Sequence, residues 1–179
     1  MKVLLDTCVL YPTVMREVIL RVAAEGLFEP LWSQRILDEW LRATVKLGPE
    51  GEAQAAGEIA MVTAQWPGAI VTPKPSLVDR LWLPDTNDVH VLAAAIAGHA
   101  DVLLTLNAKD FPRNILAEEG VSRSDPDAFL VGLHAASPDA VARAVASVHE
   151  TANAMSDRPW ELRKLLKKAR LPRLGKALG

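Results

Sequence analysis

Residues 84–112 read PDTNDVHVLAAAIAGHADVLLTLNAKDFP, and the fold turns on how this stretch divides. Residues 87–100 carry the pattern of a strong helix that ends near Gly98, and residues 101–105, DVLLT, read as a short buried strand. A helix that passes directly into so short an apolar strand belongs to a parallel sheet covered on both faces, because a parallel strand needs a crossover element before it and neighbours above and below it.

Upstream, Val3 to Leu5 form another short apolar strand, which runs straight into an acid, Asp6. Helical spacing follows over 13–24 (Val14, Val18, Ile19, Val22), then from about Ser33 to Thr44, then over about 51–65 with Ala55, Ile59 and Val62 on one side. AIVT, 69–72, is strand-like. Downstream of Gly120 the spacing predicts a brief extended piece and helices near 125–134 and 138–154. Strands and helices alternate without an internal repeat, which gives the α/β class with a central parallel sheet.

The chain has 179 residues, half of them apolar, enough for one sizeable core. Cys8 is the sole cysteine, so no internal disulfide forms, and a reducing cytoplasm is expected. Asp6 interrupts the first apolar run and no later run is long enough for a bilayer, so a cytoplasmic protein away from membranes is expected. The overall charge of −2 hides an asymmetry. Beyond residue 155 lie Arg158, Arg163, Lys164, Lys167, Lys168, Arg170, Arg173 and Lys176 against Asp157 and Glu161, so that segment carries +6 and the rest of the chain −8. SDRP (156–159) marks the boundary, giving an expected domain over 1–155 and a basic helical extension over 156–179. The extension reads either as an amphipathic helix that docks Leu162, Leu165, Leu166 and Ala169, or as a contact for a polyanion.

Open parallel sheets bind ligands outside the carboxyl ends of their strands. Asp6 emerges at that rim, and so does Thr105, with Asn107 and Asp110 just beyond it. Asp88 lies in the first turn of the helix preceding the second of these strands. Glu39 lies on its helix about 40° from Ala43 and about 60° from Ile36, at the border of the apolar stripe. Each acid also has a structural role open to it: Asp6 as a helix cap, Asp85 and Asp88 as a capping pair, Asp110 in the turn before Phe111, and Glu39 as a partner of Arg35. Four caps have no reason to converge on one rim, whereas four acids that share a cation do.

These residues carry a resemblance. With LLDTCVL at the start, SQRILDEW in the second long helix, the segment 84–112 and DPDAFL near 125–130, the chain resembles PIN-domain proteins of the VapC-type ribonuclease toxins. The resemblance implies a three-layer α/β/α sandwich and an acidic pocket that binds Mg²⁺ or Mn²⁺ and hydrolyses RNA phosphodiester bonds. It places the family's acids on Asp6, Glu39 and Asp88 and its polar strand-end residue on Thr105. Where many members read Thr-x-Asp, this chain has Thr105-Leu106-Asn107, and Asp110 is expected to supply the fourth charge, as in a subgroup ending Asn-x-x-Asp-Phe-Pro. On this reading Asp6 and Asp88 hold the first ion, Glu39 and Asp110 complete the pocket, and Thr105 and Asn107 orient them. The resemblance further implies a type II toxin, a cognate antitoxin and a homodimer.

Arg113, Arg123 and the residues from Arg158 onward are candidates for an RNA track. His90, His99 and Cys8 read as packing or surface side chains. The residue two past Asp6 is Cys8, which argues against an aspartyl-phosphate hydrolase, and no glycine-rich phosphate loop follows the first strand. The competing class is a PIN-like module that binds RNA or a protein partner without cutting.

Overall fold

The computed structural model describes residues 1–179. In chain order its elements are β1 (Lys2–Leu5), α1 (Thr7–Leu10), α2 (Thr13–Ala24), β2 (Glu29–Leu31), α3 (Gln34–Thr44), α4 (Gly48–Gln65), α5 (Pro75–Arg80), α6 (Val89–Ala97), β3 (Val102–Leu104), α7 (Arg113–Glu118), β4 (Ser122–Ser124), α8 (Pro126–Ala136), α9 (Pro138–Ala154), α10 (Leu162–Lys168) and α11 (Pro172–Ala177). They form two compact units, one of residues 1–11 and 29–123, the other of residues 12–28 and 124–179. The fold is α/β/α, a four-stranded parallel sheet flanked by helices. No helix is long and apolar enough to cross a membrane.

The first unit is built on the strand order β2-β1-β3-β4. Val3, Leu4 and Leu5 pair with Val102, Leu103 and Leu104, and Lys2, Val3 and Leu4 pair with Glu29, Pro30 and Leu31, all in parallel. From β1 the chain goes first to one side, to β2, and later returns to the other, to β3. Such a reversal leaves a crevice at the carboxyl ends of the two strands it separates, here β1 and β3. The register sets Leu5 against Leu104, so the next residues, Asp6 and Thr105, face each other across that crevice.

β2 was not expected from the sequence, because Pro30 sits in it; the strand lies at the end of the sheet order, where a missing N–H is tolerated. The expected strand over 69–72 shrinks to a single bridge between Trp32 and Ile70. Pro73 and Pro75 follow at once and offer no N–H to extend the ladder. Ser33 caps α3 by accepting from the Ile36 N–H at 3.2 Å. α6 is buried from Val89 to Ala95, as its continuous apolar sequence requires, and it packs against β1 and β3.

The second unit comprises α2 and α8–α11. Phe28 meets Phe129 edge-to-face with ring centroids 5.2 Å apart. Of the four side chains expected to dock, Leu165 and Leu166 are buried and Leu162 and Ala169 half-buried; Leu171 and Leu174 are buried as well, and all eight basic side chains beyond residue 155 are exposed. The extension is two helices, because Arg170 turns into the left-handed region (φ 61°) and Pro172 starts a new one. The buried Asp127 carboxylate caps that start, accepting from the N–H groups of Arg173 and Leu174, each at 2.9 Å. Asp127→Ala strands two helix N–H donors and is expected to cost about 1–2 kcal/mol, with Asp127→Asn losing about half as much, read by urea denaturation.

Candidate active site

Asp6 ends β1 because the chain leaves the sheet there and starts α1. Its Oδ1 accepts from the Thr7 N–H at 2.7 Å, the capping bond expected of an acid before a helix. Its Oδ2 accepts from the Thr105 hydroxyl at 2.7 Å and from the Cys8 thiol at 3.2 Å. The Thr105 hydroxyl itself accepts from the Asn107 N–H at 2.9 Å, which leaves its proton to point at Asp6. Burial, reinforced by the Asp6 charge, pushes the Cys8 thiol up to about 12. Cys8 therefore stays protonated and acts as a donor to the carboxylate, not as a thiolate ligand.

Glu39 looks toward the same rim from α3. Its Oε2 accepts from the Thr7 hydroxyl at 3.2 Å, while Oε1 lies 3.5 Å from Arg35 Nε and 2.8 Å from His90 Nε2. The Arg35 pairing read from the sequence is thus present alongside the turn toward the rim. His90 is 5% exposed, and neither ring nitrogen makes a directed hydrogen bond. Its short approach to Glu39 lies off the N–H direction and is an electrostatic contact. Burial lowers the imidazole pKa from its ordinary 6.5, while Glu39 acts in the opposite sense.

Asp85, Asp88 and Asp110 form the tightest group, each offering a carboxylate oxygen within 4.8 Å of the others. Asp85 starts the 3-10 turn Thr86–Asp88 by accepting from the Asn87 N–H at 2.9 Å, and the turn runs on into α6. Asp88 accepts no capping bond, so its carboxylate is not consumed by the helix. The Asn107 side-chain amide donates to Asp110 at 2.7 Å and to Asp88 at 3.3 Å. Asp88 is held at about 6 instead of the ordinary 3.8, by burial first and then by the negative charges of Asp6, Asp85, Asp110 and Glu39. One carboxylate that feels four others is the signature of a shared pocket.

The structure therefore brings Asp6, Glu39, Asp88, Thr105, Asn107 and Asp110 into one neighbourhood in the first unit. Asp6 and Glu39 join it through Thr105 and Thr7, outside the tight group of three. Asp85 belongs to that group and was read only as a cap. Its spacing of three residues from Asp88 was the available signal, since that spacing fits a shared side of a helical turn as well as a cap. Thr7 was also missed as the link between Asp6 and Glu39. The donor set is oxygen-rich and acidic, with the nearby thiol protonated, and it fits a hard divalent cation such as Mg²⁺ or Mn²⁺.

A family profile described as PIN domain matches residues 2–109, which takes in Asp6, Glu39, Asp85, Asp88, Thr105 and Asn107 and stops one residue short of Asp110. Searches of the curated proteins and of the solved structures return no match.

Proposed function

From a chain that belongs to the PIN domain family, we propose a Mg²⁺- or Mn²⁺-dependent endoribonuclease. The observation that carries the reading is the group Asp85, Asp88 and Asp110, whose carboxylate oxygens lie within 4.8 Å of one another; burial and crowding raise Asp88 to about 6. Such an array repels itself unless a cation joins it. Asp6, Asp88, Glu39 and Asp110 would hold the cation, with Asp85 beside Asp88 and Asp110 as a further oxygen donor. A divalent ion supplies Lewis acidity, activating water and neutralising charge on the attacked phosphodiester.

The protein's own part is to fix those carboxylates. Thr105 and Cys8 donate to one oxygen of Asp6 and the Thr7 N–H to the other, so its orientation is set before substrate arrives. The Thr7 hydroxyl serves Glu39, its proton shared between Glu39 Oε2 at 3.2 Å and the Ile36 carbonyl at 3.3 Å. Removing the Thr105 hydroxyl tests the scaffold: Thr105→Val is expected to lower Mn²⁺ affinity and RNA hydrolysis together by about tenfold, with Thr105→Ser restoring both. The reading itself is tested with purified chain and a labelled single-stranded RNA, with Mn²⁺ or EDTA. Cleavage that needs the metal and disappears in Asp6→Asn supports it; cleavage unchanged in EDTA sinks it.

Within this reading we place the chain as the toxin of a type II pair, active in the cytoplasm as a homodimer and blocked by an antitoxin. The acidic −8 balance of residues 1–155 suits a basic inhibitor. A second reading, a module that binds without cutting, draws on Asn107, which brings no charge to the pocket and whose amide already donates to Asp88 and Asp110. It predicts RNA affinity that survives Asp6→Asn, with no metal uptake in calorimetry by the unsubstituted chain.

A further inference from the structure

The second unit holds a cleft of about 280 Å³, lined by Thr13 and Met15 at the start of α2, Ala152 near the end of α9, and Trp160, Leu165 and Lys168. Its walls are mostly apolar side chains. Trp160 is only partly exposed, and its backbone is pinned on both sides. The Trp160 N–H donates to Asn153 Oδ1 at 2.6 Å, and its carbonyl meets His149 Nε2 at 2.6 Å. The backbone that carries the indole is thus anchored to α9, and the indole lines the cleft. Lys168 Nζ lies 4.8 Å over the ring, so a cation stands at the same spot.

A volume near the lower end for ligand pockets, about 300 Å³, suits one flat ring system better than a folded partner's side-chain cluster. The charge of the segment that carries it selects the ring's attachment. Lys168 lines the cleft, and residues 156–179 expose eight basic side chains against two acids, Asp157 and Glu161, which favours a negatively charged occupant. A flat ring on a polyanionic chain is a nucleobase of an unpaired strand; bases inside a duplex have no free face to stack.

Resting on the ribonuclease reading above, we propose that this cleft is a nucleobase subsite for single-stranded RNA, with Trp160 as the stacking platform and Lys168 and the neighbouring basic side chains as phosphate contacts. The basic extension then does two separable things: its lysines and arginines give affinity for any strand, and Trp160 favours strands with unpaired bases.

The test uses the full chain carrying Asp88→Asn in EDTA, and fluorescence anisotropy of a labelled oligoribonucleotide of about 12 residues, single-stranded or annealed to its complement. Trp160→Leu is expected to weaken single-strand binding about tenfold and to leave duplex binding unchanged, with Trp160→Phe close to the parent. Lys168→Gln is expected to lower the slope of log affinity against log salt by about one for both forms. Equal affinity for the single strand in Trp160→Leu overturns the proposal, and so does an equal loss for single strand and duplex. An acidic peptide that binds in a Trp160-dependent manner while RNA does not assigns the cleft to a protein and overturns it too. If Trp160→Leu melts well below the parent, Ala152→Leu, which fills the cleft beside the ring, carries the test, with preferential loss of the single strand supporting the proposal and no loss overturning it. Cleavage by the unsubstituted chain is scored apart. A chain that cuts RNA yet ignores Trp160→Leu loses only the subsite, and a chain that binds through Trp160 but never cuts loses only the nuclease.

Discussion

Asp88→Asn is expected to slow metal-dependent RNA hydrolysis by about a thousandfold or more. The asparagine keeps the shape of the side chain and one acceptor oxygen but removes the charge that a divalent cation needs, and about 4 kcal/mol of lost electrostatic stabilisation corresponds to three decades in rate. Asp6→Asn is expected to fall as far. It loses charge, and its amide nitrogen must also face either the Thr7 N–H or the Thr105 and Cys8 donors, all of which now address a carboxylate. Single-turnover cleavage of a labelled single-stranded RNA in Mn²⁺ measures both. Either variant retaining a tenth of the parent rate would remove that residue from the catalytic set.

The same substitution is expected to move stability in the opposite direction. Without metal, Asp88 is held at about 6 against an ordinary 3.8. Between these two pH values the folded chain keeps a proton that the unfolded chain has lost, so this contribution to stability is fully present below about 3.8 and is lost as the pH rises through about 6. Asp88→Asn has no such loss. In EDTA at pH 7 to 8 it is expected to be more stable than the parent by about 1 kcal/mol, a figure reduced from the face value of the shift because Asp88 is partly exposed. The advantage vanishes below the ordinary carboxylate range. Mn²⁺ at about 100 times its dissociation constant adds about 2.7 kcal/mol to the parent, a rise of roughly 5 to 10 °C in melting temperature, and adds nothing to the variant. Thermal melts at three pH values, with and without Mn²⁺, check both halves. A parent chain indifferent to Mn²⁺, or an Asp88→Asn chain less stable than the parent in EDTA at pH 8, would contradict the account of a pocket strained by its own charge.

The parts of the fold that could be read from sequence are those where one local signal dominates. Val3–Leu5 of β1 and Val102–Leu104 of β3 are continuous apolar runs, and α6 is apolar apart from His90, so their burial follows largely from composition. Ser33 and Asp125 announce the starts of α3 and α8 as capping residues. β2 was not legible because its single proline contradicts its strand character until its place in the sheet order is known. AIVT misled for the converse reason: it has the composition of a strand, and the prolines that follow decide how far it can pair. In the site, the four expected acids were legible from their places in the elements: Asp6 and Asp110 at or just past strand ends, Asp88 in a helix first turn and Glu39 at the border of a helix stripe. Which of them lie closest together was not, since Asp85 enters the tight group through a 3-10 turn whose path no periodicity reports. Thr7 escaped notice because a threonine between an acid and a cysteine looks like the first residue of a helix, which it also is.

The pairing of β1 with β3 has a further consequence during synthesis. Asp6 and Thr105 are 99 residues apart in the chain, and Glu39 and Asp88 come from segments between them. An emerging polypeptide that has exposed only its first half carries Asp6, Glu39, Asp85 and Asp88 without Thr105, Asn107 and Asp110. On the nuclease reading such a nascent chain is chemically silent, and the pocket closes only after the segment around residue 105 has left the ribosome and closed a long loop onto the first strand.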